Sequence, residues 1–301
     1  MGGNLFIISR LLFPCYIFFI SNKFINFELE TSQVSPTLCL HTGRKRGDVF
    51  DIQSVQNQFE QMKNIMKKAL ITGANKGIGY EIARHLGKAG WQVIIGARDE
   101  ERAKKAMETL KADGVKAMDW QYVNLSDNKA IEISANEISD KYPDLSLLVN
   151  NAGIPGNMAV PSYEQTLKDV IDTLQVNYVG TFYLTKLLLP VLEQNNGRVV
   201  NITVPSVFSP YWHPMAYVAS KAGQNTMNSI MAWEFDHYKR PLEMFDIHPG
   251  ATSTDLNNHY SGPGSHQPEV IGEKIEKIID DGKRHNGEFI ELYPIVDEGN
   301  Y

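Results

Sequence analysis

Tyr217 and Lys221 stand four residues apart, which puts both side chains on one face of a helix. A phenol with its ordinary pKa of about 10 is a poor acid or base near neutrality, and a neighbouring ammonium lowers that value by favouring the phenolate. Taken alone, the pair fits a solvated helix surface better than a reacting centre. A second candidate is the turn Thr72-Gly-Ala-Asn-Lys-Gly-Ile-Gly79. Its glycines permit a tight turn and a close backbone approach to a pyrophosphate, and a helix N-terminus offers free N–H groups and the positive end of a dipole. A lone glycine triplet is weak evidence. This one follows an apolar run, Ala69-Leu-Ile-Thr72, and opens a helical pattern, so it sits in the context that phosphate binding requires.

The elements that must position these residues alternate regularly. After that first strand, Ile78, Ile82, Leu86 and Ala89 recur at helical spacing. Strands follow at Gln92–Ala97, Met118–Leu125, Leu145–Val149, Arg198–Val204, Leu242–His248 and Glu288–Leu292. Between them lie helical patterns at 99–112, at a helix capped by Ser126, at a long stretch with Leu167, Val170, Ile171, Leu174 and Tyr178 on one face, at 215–238 and at 268–281. Near-continuous apolar strands alternating with helices predict an α/β protein: a single Rossmann-type, doubly wound parallel sheet of about seven strands with helices on both faces. Such sheets bind ligands at the carboxyl ends of their strands.

The whole chain has 301 residues, 43% apolar and 21% charged, which suits a folded protein with a large core. Its net charge of −6 contains no basic stripe and argues against nucleic acid as a partner. No apolar run approaches the roughly 20 residues of a membrane span, so no membrane partner is expected. The eight histidines show no metal-ligand spacing, and two cysteines are too few for a Cys-based zinc site or a disulfide framework; no metal is expected. Both cysteines, Cys15 and Cys39, lie in residues 1–65, whose apolar run Leu11–Ile20 is interrupted by Pro14 and lacks a convincing cleavage site. Residues 1–65 are therefore expected to be an extension, either poorly ordered or upstream of the true start, because Met66-Lys-Lys-Ala-Leu-Ile-Thr reads as a natural N-terminus. The folded domain is expected over 66–301.

Several motifs in register make residues 66–301 resemble the short-chain dehydrogenases/reductases. Thr72-Gly-x-x-x-Gly-x-Gly79 resembles the family's coenzyme loop, Asn150-Asn-Ala-Gly153 the end of its fourth strand, Asn177 the asparagine of the next helix, Tyr217-x-x-x-Lys221 the catalytic pair, and Pro249-Gly250 with Thr254 the loop after the sixth strand. The stretches Asn75–Gly79 and Ala97–Asp99 look most like the carbonyl reductase branch. The resemblance implies an oxidoreductase that interconverts a carbonyl and an alcohol. Tyr217 would exchange a proton with the substrate oxygen, Lys221 would tune it and bind the nicotinamide ribose, and Asn177 would hold a water linking Lys221 to solvent. It implies cofactor contacts at Gly73, Asn75, Lys76, Gly77, Ile78, Gly79, Arg98, Asn124, Leu125, Asn151, Ala152, Gly153, Tyr217, Lys221, Pro249, Gly250 and Thr254. Ala97 replaces the acid that would bind a ribose 2′-OH, and Arg98 and Lys76 offer cations for a 2′-phosphate, so NADP(H) is expected over NAD(H). The alternative is that both are solvated surface charges.

One departure stands out. The family's catalytic serine falls on Val204, which has no donor. Thr203 should face the other side of the strand. Ser206 is the expected substitute; failing that, the enzyme is slow or specialised, or the fold binds cofactor without turnover. His213, with Tyr211 and Trp212, falls where a substrate loop would be, and residues 260–266 read as a mobile loop. His248 reads as structural. The expected partner is a small carbonyl or alcohol, a homo-oligomer is one option among the family's assemblies, and the expected location is cytoplasmic.

Overall fold

The computed structural model describes residues 66–206 and 214–293, together with three strands before residue 30. The expectations for Tyr211, Trp212 and His213, and for most of residues 1–65, lie outside the described residues. The chain divides into two compact units, Met1–Ile65 and Met66–Tyr301. In the first, β1 (Phe6–Ile8), β2 (Cys15–Ile20) and β3 (Lys23–Glu28) form an antiparallel sheet in that order.

The second unit is built on β4 (Lys68–Thr72), β5 (Gln92–Ala97), β6 (Met118–Tyr122), β7 (Leu145–Asn150), β8 (Arg198–Ile202), β9 (Glu243–His248) and β10 (Phe289–Glu291). They form one parallel sheet in the order β10-β9-β8-β7-β4-β5-β6. The order reverses between β4 and β7, so the carboxyl ends of these two strands make the crevice where such sheets bind ligands. Side-chain alternation along the strands feeds two cores. Ile71, Val93, Ile95, Val149 and Phe245 pack on one face with α1 (Gly77–Lys88), α2 (Glu100–Ala112) and α7 (Pro268–Ile279). Leu70, Ile94, Leu148 and Met244 pack on the other with α3 (Asn128–Lys141), α5 (Gly180–Gln194) and α6 (Met215–His237).

Three local expectations are corrected. The third strand of the sheet stops at Tyr122 rather than Leu125, leaving Asn124 and Leu125 in the turn. The cap of α3 is Asp127, whose carboxylate accepts from Lys129 N at 2.9 Å and Ala130 N at 3.2 Å; Ser126 turns back to Asn124 Oδ1 at 2.8 Å. The long helix after β7 is broken into α4 (Leu167–Leu174), a π turn (Gln175–Val179) and α5. The π turn advances the register, so residues before and after it do not share a face. Leu167 and Ile171, read as part of one helix face with Tyr178, are 75% and 54% exposed, while Asn177 is fully buried.

Candidate active site

The turn from β4 to α1 is shaped by glycine. Gly73 and Gly77 adopt φ of +69° and +59°, where L side chains are strained. A Cβ on Gly79 would lie 2.4 Å from Asn151 Nδ2 and 2.8 Å from Gly73 O. The first turn of α1 carries no acid and its N-cap makes no side-chain hydrogen bond, so the positive end of the helix is left for an anion. Asn75 and Ile78 lie beside it, half-buried. Across the crevice, Thr72 Oγ1 accepts from Asn151 N at 3.0 Å and Ala152 N at 3.1 Å, and Asn151 Nδ2 donates to Thr72 O at 2.9 Å. The Asn151 side chain thus ties the ends of β4 and β7 together. This cradle of small residues and free helix end has the chemistry a dinucleotide's pyrophosphate requires.

The two cations read as cofactor selectors, Lys76 and Arg98, stand in different surroundings. Lys76 is hydrogen-bonded to the carboxylate of Asp255, which His259 also reaches at 2.8 Å. Its neighbour Thr254 lies 3.6 Å from where a Gly77 Cβ would stand, so the loop after β9 rests on the glycine turn. Arg98 is exposed. Asp99 caps α2 and pairs with Arg102 at 3.2 Å, so its charge is directed to Arg102. Asn124 Oδ1 is held by Ser126, and the Leu125 side chain belongs to the core. Gly250 takes φ +76° directly after Pro249.

The reacting end gathers on α6. Tyr217 is 6% exposed and Lys221 3%. Lys221 Nζ lies 5.9 Å from the Tyr217 ring centroid. It donates to Ile202 O at 2.8 Å and Gln224 Oε1 at 2.9 Å, and Gln224 Nε2 donates to Asn177 O at 2.8 Å. The Gln224 side-chain amide therefore bridges the Lys221 ammonium to the main-chain O of Asn177. The Asn177 side chain is stitched to Ile154 in both directions, accepting from its N at 2.8 Å and donating to its O at 2.9 Å. Burial raises the Tyr217 phenol above its ordinary range and lowers Lys221 to about 8, against which Asp246 pushes it up. Desolvation thus moves the phenol in the direction opposite to the lowering expected from Lys221.

The end of β8 is organised by Asn225, one turn after Lys221. Thr203 Oγ1 donates to Asn225 Oδ1 at 2.7 Å, while Asn225 Nδ2 donates to Val204 O at 2.9 Å and Ser206 Oγ at 2.7 Å. Both hydroxyls considered as substitutes for the absent serine are fastened to Asn225, two helical turns from Tyr217. His248 is buried against Thr203 O at 3.3 Å, and burial lowers its pKa. The loop read as mobile ends at His266, which stacks on Tyr293 with ring centroids 3.4 Å apart. No cluster able to hold a metal exists among the described residues.

Gln224, Asn225 and Asp246 were not singled out by sequence. Their signal was present: Gln224 continues the buried stripe of Tyr217 and Lys221, and Asp246 interrupts an apolar strand.

A family model described as short chain dehydrogenase matches residues 67–262. A Streptomyces coelicolor protein assigned as a ketoacyl reductase is 37% identical over 200 residues, covering 64% of this chain and 75% of that one. The 3-oxoacyl-[acyl-carrier-protein] reductase FabG of Staphylococcus epidermidis is 32% identical over 200 residues, 65% and 79% of the two chains. Among solved structures, a variant of the actinorhodin polyketide ketoreductase with NADPH superposes with a TM-score of 0.67 at 28% identity, covering 75% of this chain and 95% of that one.

Proposed function

The chain belongs to the short chain dehydrogenase family and is an oxidoreductase of that fold; from that premise we propose that it reduces a small carbonyl compound with NADPH in the cytoplasm, in the manner of the carbonyl reductases. The observation that carries the reading is the convergence of the glycine cradle at β4–α1 with a buried Tyr217–Lys221 pair at the same end of the sheet. NADPH, when bound, supplies the hydride. The helix end of α1 receives the pyrophosphate, with Gly73, Gly77 and Gly79 giving it room. Lys221 would hold the nicotinamide ribose, and the exposed Arg98 would supply a cation for a 2′-phosphate. Tyr217, kept protonated by burial, would deliver its proton to the substrate oxygen, the protonation state that carbonyl reduction requires.

A second reading has its own observation. Val204 lacks a donor and Thr203 gives its hydroxyl proton to Asn225, which favours a cofactor-binding protein with little turnover. Following NADPH oxidation by the full chain against aldehydes, ketones and quinones separates the two. Turnover supports the reductase. NADPH binding with no turnover on any of them supports the second reading, and failure to bind NADPH overturns both.

A further inference from the structure

A glutamine is enclosed in the inner stripe of α6. Tyr217, Ser220, Lys221, Gln224 and Asn228 follow one another there at helical spacing, and Gln224 is fully buried. Closing a long amide into a core costs rotamer freedom and desolvation, which only hydrogen bonds at both of its ends offset. Both ends are bonded. Oε1 accepts from Lys221 Nζ at 2.9 Å, and Nε2 donates to Asn177 O at 2.8 Å. An apolar residue of similar length would fill the same space and leave the ammonium and that carbonyl without these bonds. Packing of α6 on the sheet therefore does not by itself account for an amide here.

The far end of the amide is fastened to a part of the fold that is itself tied down. Asn177 lies in the π turn and is fully buried. Its side chain is committed to Ile154 N and O, at 2.8 and 2.9 Å, and to Ser220 Oγ at 3.0 Å. Its main-chain O is the atom that Gln224 takes. Lys221 Nζ is thereby held from two elements: directly by Ile202 O of β8 at 2.8 Å, and by the π turn through Gln224. An ammonium carries three N–H donors, and these two bonds occupy two of them. Fixing two directions at the end of a flexible stem fixes the third, so the group is ordered before a ligand arrives. Both partners of the ammonium are neutral. The titratable groups near it are Tyr217, whose ring centroid lies 5.9 Å from Nζ, and Asp246 of β9, whose Oδ1 accepts from Asn201 Nδ2 at 2.8 Å.

We infer that Gln224 is a positioning residue for Lys221: it braces the ammonium against the π turn, so that the remaining N–H is presented to the cofactor ribose. The inference rests on the proposed role of Lys221, but its first test needs no ligand. The full chain is labelled with ¹³C at the lysine ε-carbon, and the Lys221 signal is identified by its loss in Lys221→Met. Titration of that signal is compared between the natural protein, Gln224→Leu and Gln224→Glu, with Gln224→Met as the second apolar variant should the first not fold. The apolar variant loses a bond made to the charged form, so the proton affinity of Lys221 is expected to fall by about tenfold. Gln224→Glu keeps an acceptor at the same reach and is expected to raise it. An unchanged Lys221 titration in a folded apolar variant overturns the assignment. A packing role alone would lower the thermal midpoint and leave the lysine titration where it was. NADPH affinity, followed by its fluorescence near neutral pH, is expected to weaken by about tenfold in the apolar variant and to stay within a few-fold of the natural value in Gln224→Glu. Equal NADPH affinity in the apolar variant and the natural protein would overturn the inference even with a moved titration. Absence of NADPH binding by the natural protein would sink the functional reading, while the lysine titration still decides whether Gln224 braces Lys221.

Discussion

The two ends of the crevice are built by different means. At β4–α1 the work is done by backbone: glycine conformations, a helix terminus without an acid, and Asn151 clamping two strand ends. At β8–α6 it is done by side chains from separate elements. Lys221, Gln224 and Asn225 come from α6, Asn177 from the π turn, and Asp246 from β9. A pyrophosphate site tolerates variation around a fixed main chain. Proton chemistry depends on which group sits against which, so a single departure such as Val204 can rewire it.

The sharpest break between the two ends should come from Tyr217→Phe. Turnover is expected to fall about 10²–10⁴-fold, with NADPH affinity almost unchanged; a matching loss of affinity would mean that the phenol serves the cradle as well. In the opposite direction, Val204→Ser should raise turnover by roughly 10- to 100-fold if the missing donor limits the reaction, measured as kcat on whichever carbonyl is reduced best. Gly79→Ala tests the cradle. Its new Cβ meets Asn151 Nδ2 and the carbonyl of Gly73, so NADPH binding should weaken at least tenfold and the fold should lose about 1–3 kcal/mol in denaturant unfolding. The smallest effect is expected from Asp255→Asn, which releases Lys76. If Lys76 then joins the 2′-phosphate, affinity for NADPH should rise a few-fold at low salt while affinity for NADH stays level, since exposed pairs are worth about 0–1 kcal/mol. Equal gains for both cofactors would remove Lys76 from cofactor selection.

Much of the cradle was legible because its causes are local. A strand, a glycine turn and a helix adjoin in sequence, and the Tyr217-x-x-x-Lys221 spacing defines its own geometry on one helix. The employment of Lys76 was not legible, because Asp255 is distant in sequence and meets it only when the loop after β9 folds over the glycine turn. Ser206 shows the same limit. Its position suggests a substitute hydroxyl, and the bond it accepts from Asn225 depends on how β8 and α6 pack. The exposure of Leu167 and Ile171 follows from a π turn, a change in winding that apolar spacing cannot reveal.

By itself the sequence determined the alternation of strands and helices, the parallel sheet with two covered faces, and the glycine turn that follows its first strand. Period and turn chemistry act over a few neighbouring residues, so they can be read in order along the chain. Only the tertiary structure decided which polar groups oppose one another at the ligand-binding end: Gln224 between Lys221 and Asn177, Asn225 on Thr203 and Ser206, and Asp246 on Asn201. Desolvation and charge coupling depend on distances between elements far apart in sequence, and those distances exist only once the sheet and α6 have packed.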